Sequence, residues 1–403
     1  MKDVNIAENI KYIGVDDKEL DLFENQYILK NGMAYNSYLI LDDKIAIMDT
    51  VDKRKTDEWL SNLEKELDGR KPDYLVISHL EPDHSGSIGK LFNKYPNIKI
   101  ISNEKVFSML PQFVDLGKIC EEVDGTKQLD IQNWLDDKKI VVKETDTINL
   151  GKHILQFFMA PMVHWPEVML TYEQTEKILF SADAFGKFGT LDTDEPWVDE
   201  SRRYFINIVG KYGMQVQNVL KKASSLDIKM ICPLHGPILK KNLDYYINLY
   251  DKWSKYEPEE EGILVVCGSL HGNTYEVSKK FAEDLKEKEN NVKLIDISRA
   301  QIADVVAEAF KYSKMCIACV TYNMNIFPAM NSFLHLLREK NYQNRKIGII
   351  ENGSWAPNAG KVIKDMLSTM KNIEIVEPIV TIKTKLNKES EEKMKELEDA
   401  ISK

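Results

Sequence analysis

Residues Tyr74–Gly86 read YLVISHLEPDHSG. An apolar run suited to a buried strand ends there, and His79, Glu81, Asp83 and His84 follow at once. Imidazoles and carboxylates packed this tightly at the C-terminal end of a strand converge on a small volume. Such groups repel or desolvate one another unless something cationic sits among them. A metal is the simplest remedy. Three later segments repeat the pattern of a strand ending in a candidate ligand. Ala160–Pro166 (APMVHWP) offers His164, Ile178–Gly186 (ILFSADAFG) offers Asp183, and Met230–Pro237 (MICPLHGP) offers His235. Together these supply enough donors for two metals with a carboxylate bridging them. His153 and His335 stand apart from any cluster and read as a strand-start and a helix histidine.

The rest of the chain sets the frame. A length of 403 residues suits two or three domains. An apolar share of 43% with 29% charged residues argues against wholesale disorder. The formal net charge of −10 disfavours a nucleic-acid binder and an anionic-membrane surface, both of which need concentrated positive charge. Five cysteines scattered over so long a chain do not make a disulfide framework. The first ten residues, MKDVNIAENI, carry no apolar signal region, and no apolar run reaches the length of a membrane span. A soluble, cytoplasmic protein is expected.

A charged, proline-broken stretch at Lys252–Glu261 marks a domain boundary. Beyond it, strand-like runs at Ile263–Cys267, Val292–Ile297, Met315–Thr321, Lys346–Ile350 and Ile373–Ile382 alternate with helical patterns. Val362, Ile363, Met366, Leu367 and Met370 fall on one helical face, as do Met394, Leu397 and Ile401 in the charged tail. Such alternation reads as a doubly wound parallel sheet. Before the boundary, strands come in pairs with few helices between, apart from Thr56–Leu67 and Arg203–Ser225. That predicts a mixed β core with helices outside. A polar segment near Lys127–Lys139 reads as a surface loop.

Three loops of the C-terminal half belong together. Gly268–Thr274 (GSLHGNT) follows the first strand and opens a helix, so its hydroxyls and free N–H groups make a phosphate cradle. It lacks the GK[ST] of a P-loop and is not G-x-G-x-x-G. Val320–Pro328 (VTYNMNIFP) ends the third strand and Glu351–Pro357 (ENGSWAP) the fourth. In a sheet of order 2-1-3-4-5 these loops meet at the switch point, where FMN binds. The FMN-binding residues are then Ser269, Leu270, His271, Gly272, Asn273, Thr274, Thr321, Tyr322, Asn323, Asn352, Gly353, Ser354 and Trp355. Tyr322 and Trp355 are the aromatics placed to flank a flat ring. Cys316 and Cys319 form a CxxC inside a buried strand and read as structural.

HLEPDH resembles the H-x-[E/H]-x-D-H signature of metallo-β-lactamase-like domains. Hydrolytic members usually carry histidine and bind zinc where this chain has Glu81. A hard oxygen donor there shifts the site toward iron or manganese and redox chemistry. HLEPDH, HWPE, SADAFG and PLHGP together resemble the flavodiiron proteins, and the C-terminal half resembles flavodoxin. The resemblance implies an αββα metallo-β-lactamase-like domain at 1–255 and a flavodoxin-like five-stranded parallel domain at 260–403. It implies one iron on His79, Glu81 and His164, a second on Asp83 and His235, and Asp183 as the bridge. His84 matches a position that is often not a direct ligand and is left to the surroundings of the metals, as a candidate for catalysis by passing protons. The implied activity is reduction of O2 to water or NO to N2O, with FMN relaying electrons. No rubredoxin-type CxxC pair follows, so a separate rubredoxin-like donor is implied, as is a head-to-tail homodimer or dimer of dimers. Two rival readings remain: a zinc-dependent hydrolase with a regulatory flavodoxin domain, and a plain electron carrier.

Overall fold

Short apolar stretches such as Tyr38–Ile40 and Ala46–Met48 are buried at every position, which suits interior strands of a layered fold. The protein is described here by a computed structural model covering residues 4–115, 119 and 131–403. Its backbone divides into two units, Met1–Phe205 with Met214–Asn248 and Ile206–Gly213 with Leu249–Lys403. The helix Leu243–Ser254 straddles that division.

The first unit holds two sheets. One runs Asn5–Ala7, Ile10–Tyr12, Tyr38–Ile40, Ala46–Met48, Tyr74–Val76, Lys99–Ser102, Lys139–Val141. Its last three pairings are parallel and the others antiparallel. The other runs Thr147–Asn149, Ile154–Met159, Met169–Glu173, Ile178–Phe180, Met230–Cys232. Ile40, Met48, Val76 and Ile101 of one sheet share a buried cluster with Leu155, Phe157, Met169 and Phe180 of the other. The two sheets therefore pack face to face, the layered core expected of a metallo-β-lactamase-like domain. The helix Thr56–Leu67 buries Trp59, Leu63 and Leu67 along one face and stops at Asp68, whose left-handed backbone closes the last turn.

Two local expectations change. The stretch read as a surface loop is a helix at Ile131–Lys138, followed by the edge strand Lys139–Val141. Its polar composition hides one apolar pair: Trp134 and Leu135 are buried, and Trp134 meets Phe92 edge-on at 5.2 Å. Residues 127–130 and Cys120 lie outside the described residues. The helix expected over Arg203–Ser225 is interrupted by a π-helical turn at Phe205–Val209 and a 3₁₀ turn at Gly210–Tyr212. Gly213 restarts the helix where a Cβ would lie 2.2 Å from the Ser254 carbonyl oxygen, so this close approach requires glycine.

The second unit is a parallel sheet of spatial order Val292–Asp296, Glu260–Gly268, Tyr312–Tyr322, Arg345–Asn352, Ile373–Ile382. Counted in chain order, that is 2-1-3-4-5, the flavodoxin-like winding. Five helices connect and close it: Asn273–Lys286, Ile302–Lys311, Pro328–Glu339, Ala359–Leu367 and Lys388–Ser402. Cys316 and Cys319 are fully buried in the third strand, and burial pushes the Cys319 thiol up to about 12. Burial in the strand disfavours thiolate at both, which fits CIAC as a packing element. The last helix opens on an Asn387–Ser390 capping box and buries Met394, Leu397 and Ile401. A Cβ on Gly348 would sit 3.2 Å from methyls of both Leu397 and Ile401, which shows how closely this helix lies on the sheet. Among the described residues, no helix is long and apolar enough to cross a membrane. Leu397→Ala should destabilise this unit by about 2–5 kcal/mol, the usual cost of emptying such a leucine site, seen as an earlier urea transition.

Candidate functional site

In the first unit, His79, His164, Asp183 and His235 each sit a few residues past a strand end, so rigid strands aim short loops at one place. Glu81 and Asp83 arrive differently. Pro82 starts a one-turn helix, Pro82–Ser85, that brings Asp83 and His84 round on one side while Glu81 precedes it. The result is two groups of donors. His79, Glu81, His164 and Asp183 offer ligand atoms within 4.8 Å of one another, as do Asp83, His84 and His235. In the first group, Glu81 Oε2 lies 3.2 Å from His79 Nε2 and 3.0 Å from His164 Nε2. In the second, Asp83 Oδ2 lies 3.4 Å from His84 Nε2 and 3.3 Å from His235 Nε2.

Asp183 joins the groups. Its Oδ2 is 3.1 Å from His164 Nε2 and 3.5 Å from His79 Nε2. Its Oδ1 is 3.1 Å from His84 Nε2 and 3.6 Å from His235 Nε2. One oxygen thus faces each cluster. His84, placed outside the ligands on the sequence, has its ring nitrogen within the second group, 3.1 Å from His235 Nε2.

The protein does not satisfy these atoms by itself. Among the described residues, Asp83 Oδ1 is buried without a hydrogen-bond partner, and Asp83 Oδ2 and Asp183 Oδ1 meet nothing but imidazole nitrogens at 3.1–3.6 Å. Two imidazole nitrogens facing each other need a proton or a cation between them. Orphaned buried carboxylates beside paired imidazoles fit cations between them. The charge balance of the bare chain agrees. Burial alone would lower the pKa of His164, but hydrogen bonds to Asp183 and Glu81 hold it at about 9. Burial would likewise lower that of His79, and the charge of Asp183 with the hydrogen bonds to Glu167 and Glu81 drives it well above the ordinary value. Burial pushes up on Asp183, yet the charges of His84 and His79 hold it well below the usual carboxylate range. Without metal, the raised pKa values of His79 and His164 favour positive charge on those two rings.

Several groups that shape the site escaped the sequence reading. Glu167 accepts hydrogen bonds from His79 Nδ1 at 2.8 Å and from the Leu80 N–H at 3.0 Å. Its signal was present as the carboxylate that ends HWPE. Asp49, left-handed at φ 54°, accepts from the Ser78 N–H at 2.6 Å and steadies the strand end before His79. The Ala34 carbonyl accepts from His235 Nδ1 at 2.8 Å, and no side-chain pattern can announce a backbone acceptor. Phe23, Tyr35 and Tyr204 ring His235 at centroid distances of 5.6–5.9 Å, and Trp165 stands edge-on to His79 at 5.2 Å. His153 lies elsewhere, paired with buried Glu173 at 3.0 Å. His335 is paired with Arg338 at 2.8 Å on its own helix.

In the second unit, the three loops expected to meet line one cavity of about 510 Å³. Ser269, Leu270, His271, Asn273 and Thr274 come from the first loop, and Thr321, Tyr322 and Asn323 from the second. Asn352, Gly353, Ser354 and Trp355 come from the third. Gly272 is not in the lining; it shapes the loop, with φ 89° and its N–H on Ser269 Oγ at 3.2 Å, immediately before the helix Asn273–Lys286. Val320, Met324 and Ala356, from the second and third of these loops, also line the cavity, as does Thr384, which was not singled out on the sequence. Thr384 follows the last strand, a fourth loop at the same sheet end, and its Oγ1 meets Ser354 Oγ at 2.7 Å. Trp355 is 90% exposed and Tyr322 40%, so both aromatics stand free at the mouth rather than in the core.

A model of the ODP family of β-lactamases matches residues 33–236. A protein of unassigned function from Methanocaldococcus jannaschii is 32% identical over 82% of this chain and 80% of its own length. An anaerobic nitric oxide reductase flavorubredoxin from Aliivibrio fischeri is 28% identical over 89% of this chain and 71% of its own. Among solved structures, the rubredoxin oxygen:oxidoreductase of Desulfovibrio gigas superposes with a TM-score of 0.85 over 99% of this chain and 97% of that one, at 24% identity. That last likeness speaks for the fold.

The proton inventory yields a pH prediction. The raised pKa of His164 contributes stability to the metal-free chain below its ordinary value of 6.5, and that contribution is lost as the pH rises through about 9. Metal binding at pH 7 must therefore expel protons. Calorimetric titration with ferrous iron in buffers of different ionisation enthalpy should show that release; heats independent of the buffer would contradict it.

Proposed function

The chain belongs to the ODP β-lactamase family, among its flavodiiron members, and on that premise we propose that it reduces NO to N2O, or O2 to water, at two irons. The observation that carries the reading is Asp183, whose two carboxylate oxygens face two separate donor groups. Glu81, Asp83 and Asp183 supply hard oxygen donors beside the imidazoles, which favours iron over the zinc of a hydrolase. The loop-lined cavity of the second unit, suited to a flavin, supports electron transfer over a purely hydrolytic role. The kinship to a protein named nitric oxide reductase points the same way.

Two irons bound there would take up the gas and supply electrons to it, and FMN would restore those electrons from an external rubredoxin-like donor. The chain's own part is positional. His79, Glu81 and His164 hold one metal position, Asp83 and His235 the other with His84 beside it, and Asp183 fixes the span between them. Phe23, Tyr204 and Trp165 wall the site with rings, limiting water around the reacting gas. Ser269, Gly272, Asn273 and Thr274 present a hydroxyl-lined turn at a helix N-terminus to the FMN phosphate. Tyr322 and Trp355, exposed at the mouth of the cavity, would flank the ring. The domains carrying these roles are 1–255 for the irons and 260–403 for FMN. In a cytoplasmic homodimer, or dimer of dimers, packed head to tail, one subunit's flavin would serve the irons of its partner.

The test is anaerobic turnover with each gas and reduced rubredoxin as donor. Gas consumption that requires both iron and FMN is expected; stoichiometric zinc and no gas consumption in iron-replete protein would overturn the reading. Asp183→Ala should lower turnover by at least about a hundredfold, beyond the usual cost of losing an outer contact, while FMN stays bound. Full turnover in that variant would remove the metal site from the mechanism. For the head-to-tail arrangement, Asp183→Ala chains are mixed with Gly272→Val chains, which lack the left-handed turn of the flavin loop. Part of the activity should return on mixing. No return, while wild-type subunits recover from the same treatment, would refute it.

A further inference from the structure

Behind His79 sits a carboxylate that touches no metal position. Glu167 is buried, and its Oε1 lies 2.8 Å from His79 Nδ1. The same oxygen accepts from the Leu80 N–H at 3.0 Å. The Glu167 carbonyl in turn accepts from Asn103 Nδ2 at 2.7 Å, and Asn103 Oδ1 caps the helix Glu104–Phe113. Both contacts on the carboxylate fall on Oε1, Oε2 is buried with no partner among the described residues, and Asn103 fixes the backbone that carries it. An ionised carboxylate only accepts, so His79 presents Nδ1–H to it. The lone pair of the neutral ring is then on Nε2, which faces Glu81 at 3.2 Å and Asp183 at 3.5 Å.

The other histidines are backed differently. His235 Nδ1 donates to the neutral Ala34 carbonyl, and His84 Nδ1 has no partner among the described residues. An anion behind an imidazole makes it a stronger donor and favours the more oxidised metal. We propose that Glu167 is a positioning residue that locks His79 in its Nε2-donating tautomer and lowers the reduction potential of the metal position His79 serves. The difference between a carboxylate behind His79 and a carbonyl behind His235 makes the two positions electronically unequal. The proposal rests on the diiron reading above.

The test compares wild type, Glu167→Gln and Glu167→Asp, each reconstituted with ferrous iron. Gln keeps size and an acceptor but loses the charge; Asp keeps the charge but loses the reach to Nδ1. Iron affinity is read by chelator competition and the potential by redox titration followed by electron paramagnetic resonance. The Gln variant should bind one of its two irons about 10–100-fold more weakly and show a raised potential. An unchanged potential in that variant overturns the proposal, whatever its affinity, because a merely structural cross-link leaves the potential alone. Should the Gln variant fail to fold, the Asp variant decides: weaker iron binding with a raised potential supports the role, and wild-type values for both refute it. Wild-type protein that takes up no iron would instead remove the diiron reading itself.

Discussion

The structure turns on one buried carboxylate. Asp183 lies at 1% exposure between two sets of imidazoles and acids, one of its oxygens facing each set. Taking charged groups out of water is costly unless opposite charge meets them inside. In the bare chain, protons on His79 and His164 do that, as their raised pKa values indicate. The sandwich bears the cost by holding the donors rigidly. Strands packed through one shared core end together, and short loops leave the side chains little freedom to escape each other.

A second layer keeps the first in place. Asp49 ties down the backbone before His79, Glu167 and the Ala34 carbonyl orient His79 and His235, and Thr50 Oγ1 donates to the His84 carbonyl at 2.6 Å. These contacts come from segments distant in sequence, which is why a site of this kind needs a whole domain behind it. The flavin cradle solves a simpler problem. A parallel sheet wound 2-1-3-4-5 places four loops at one end, and backbone N–H groups there require only a glycine at φ 89° and small polar neighbours.

The sequence made the fold legible where period and punctuation were strong. The alternating strands and helices beyond Gly262 announced a doubly wound parallel sheet, its order following from the likeness to flavodoxin, and Thr56–Leu67 was readable from its apolar face. It failed where one or two buried residues decide the matter. Trp134 and Leu135 turn a polar stretch into a packed helix, and the close approach of Gly213 to Ser254 accompanies a break in what looked like one long helix. At the site, the donors were visible because each ends a strand, whereas their supports were not. Ala34 acts through a backbone oxygen and Thr384 through a fourth loop, and neither has a signature in residue type. His84 shows a different limit: spacing could not say which way its ring turns, and the folded backbone aims it at Asp183 and His235.

The central claim is that the chain builds one dinuclear iron centre across Asp183. Crystals of protein produced with iron, measured on both sides of the iron absorption edge, test it most directly. Two anomalous peaks are expected, one beside His79, Glu81 and His164 and one beside Asp83 and His235, with the Asp183 carboxylate between them. A single peak, or peaks that appear at the zinc edge instead, would contradict it.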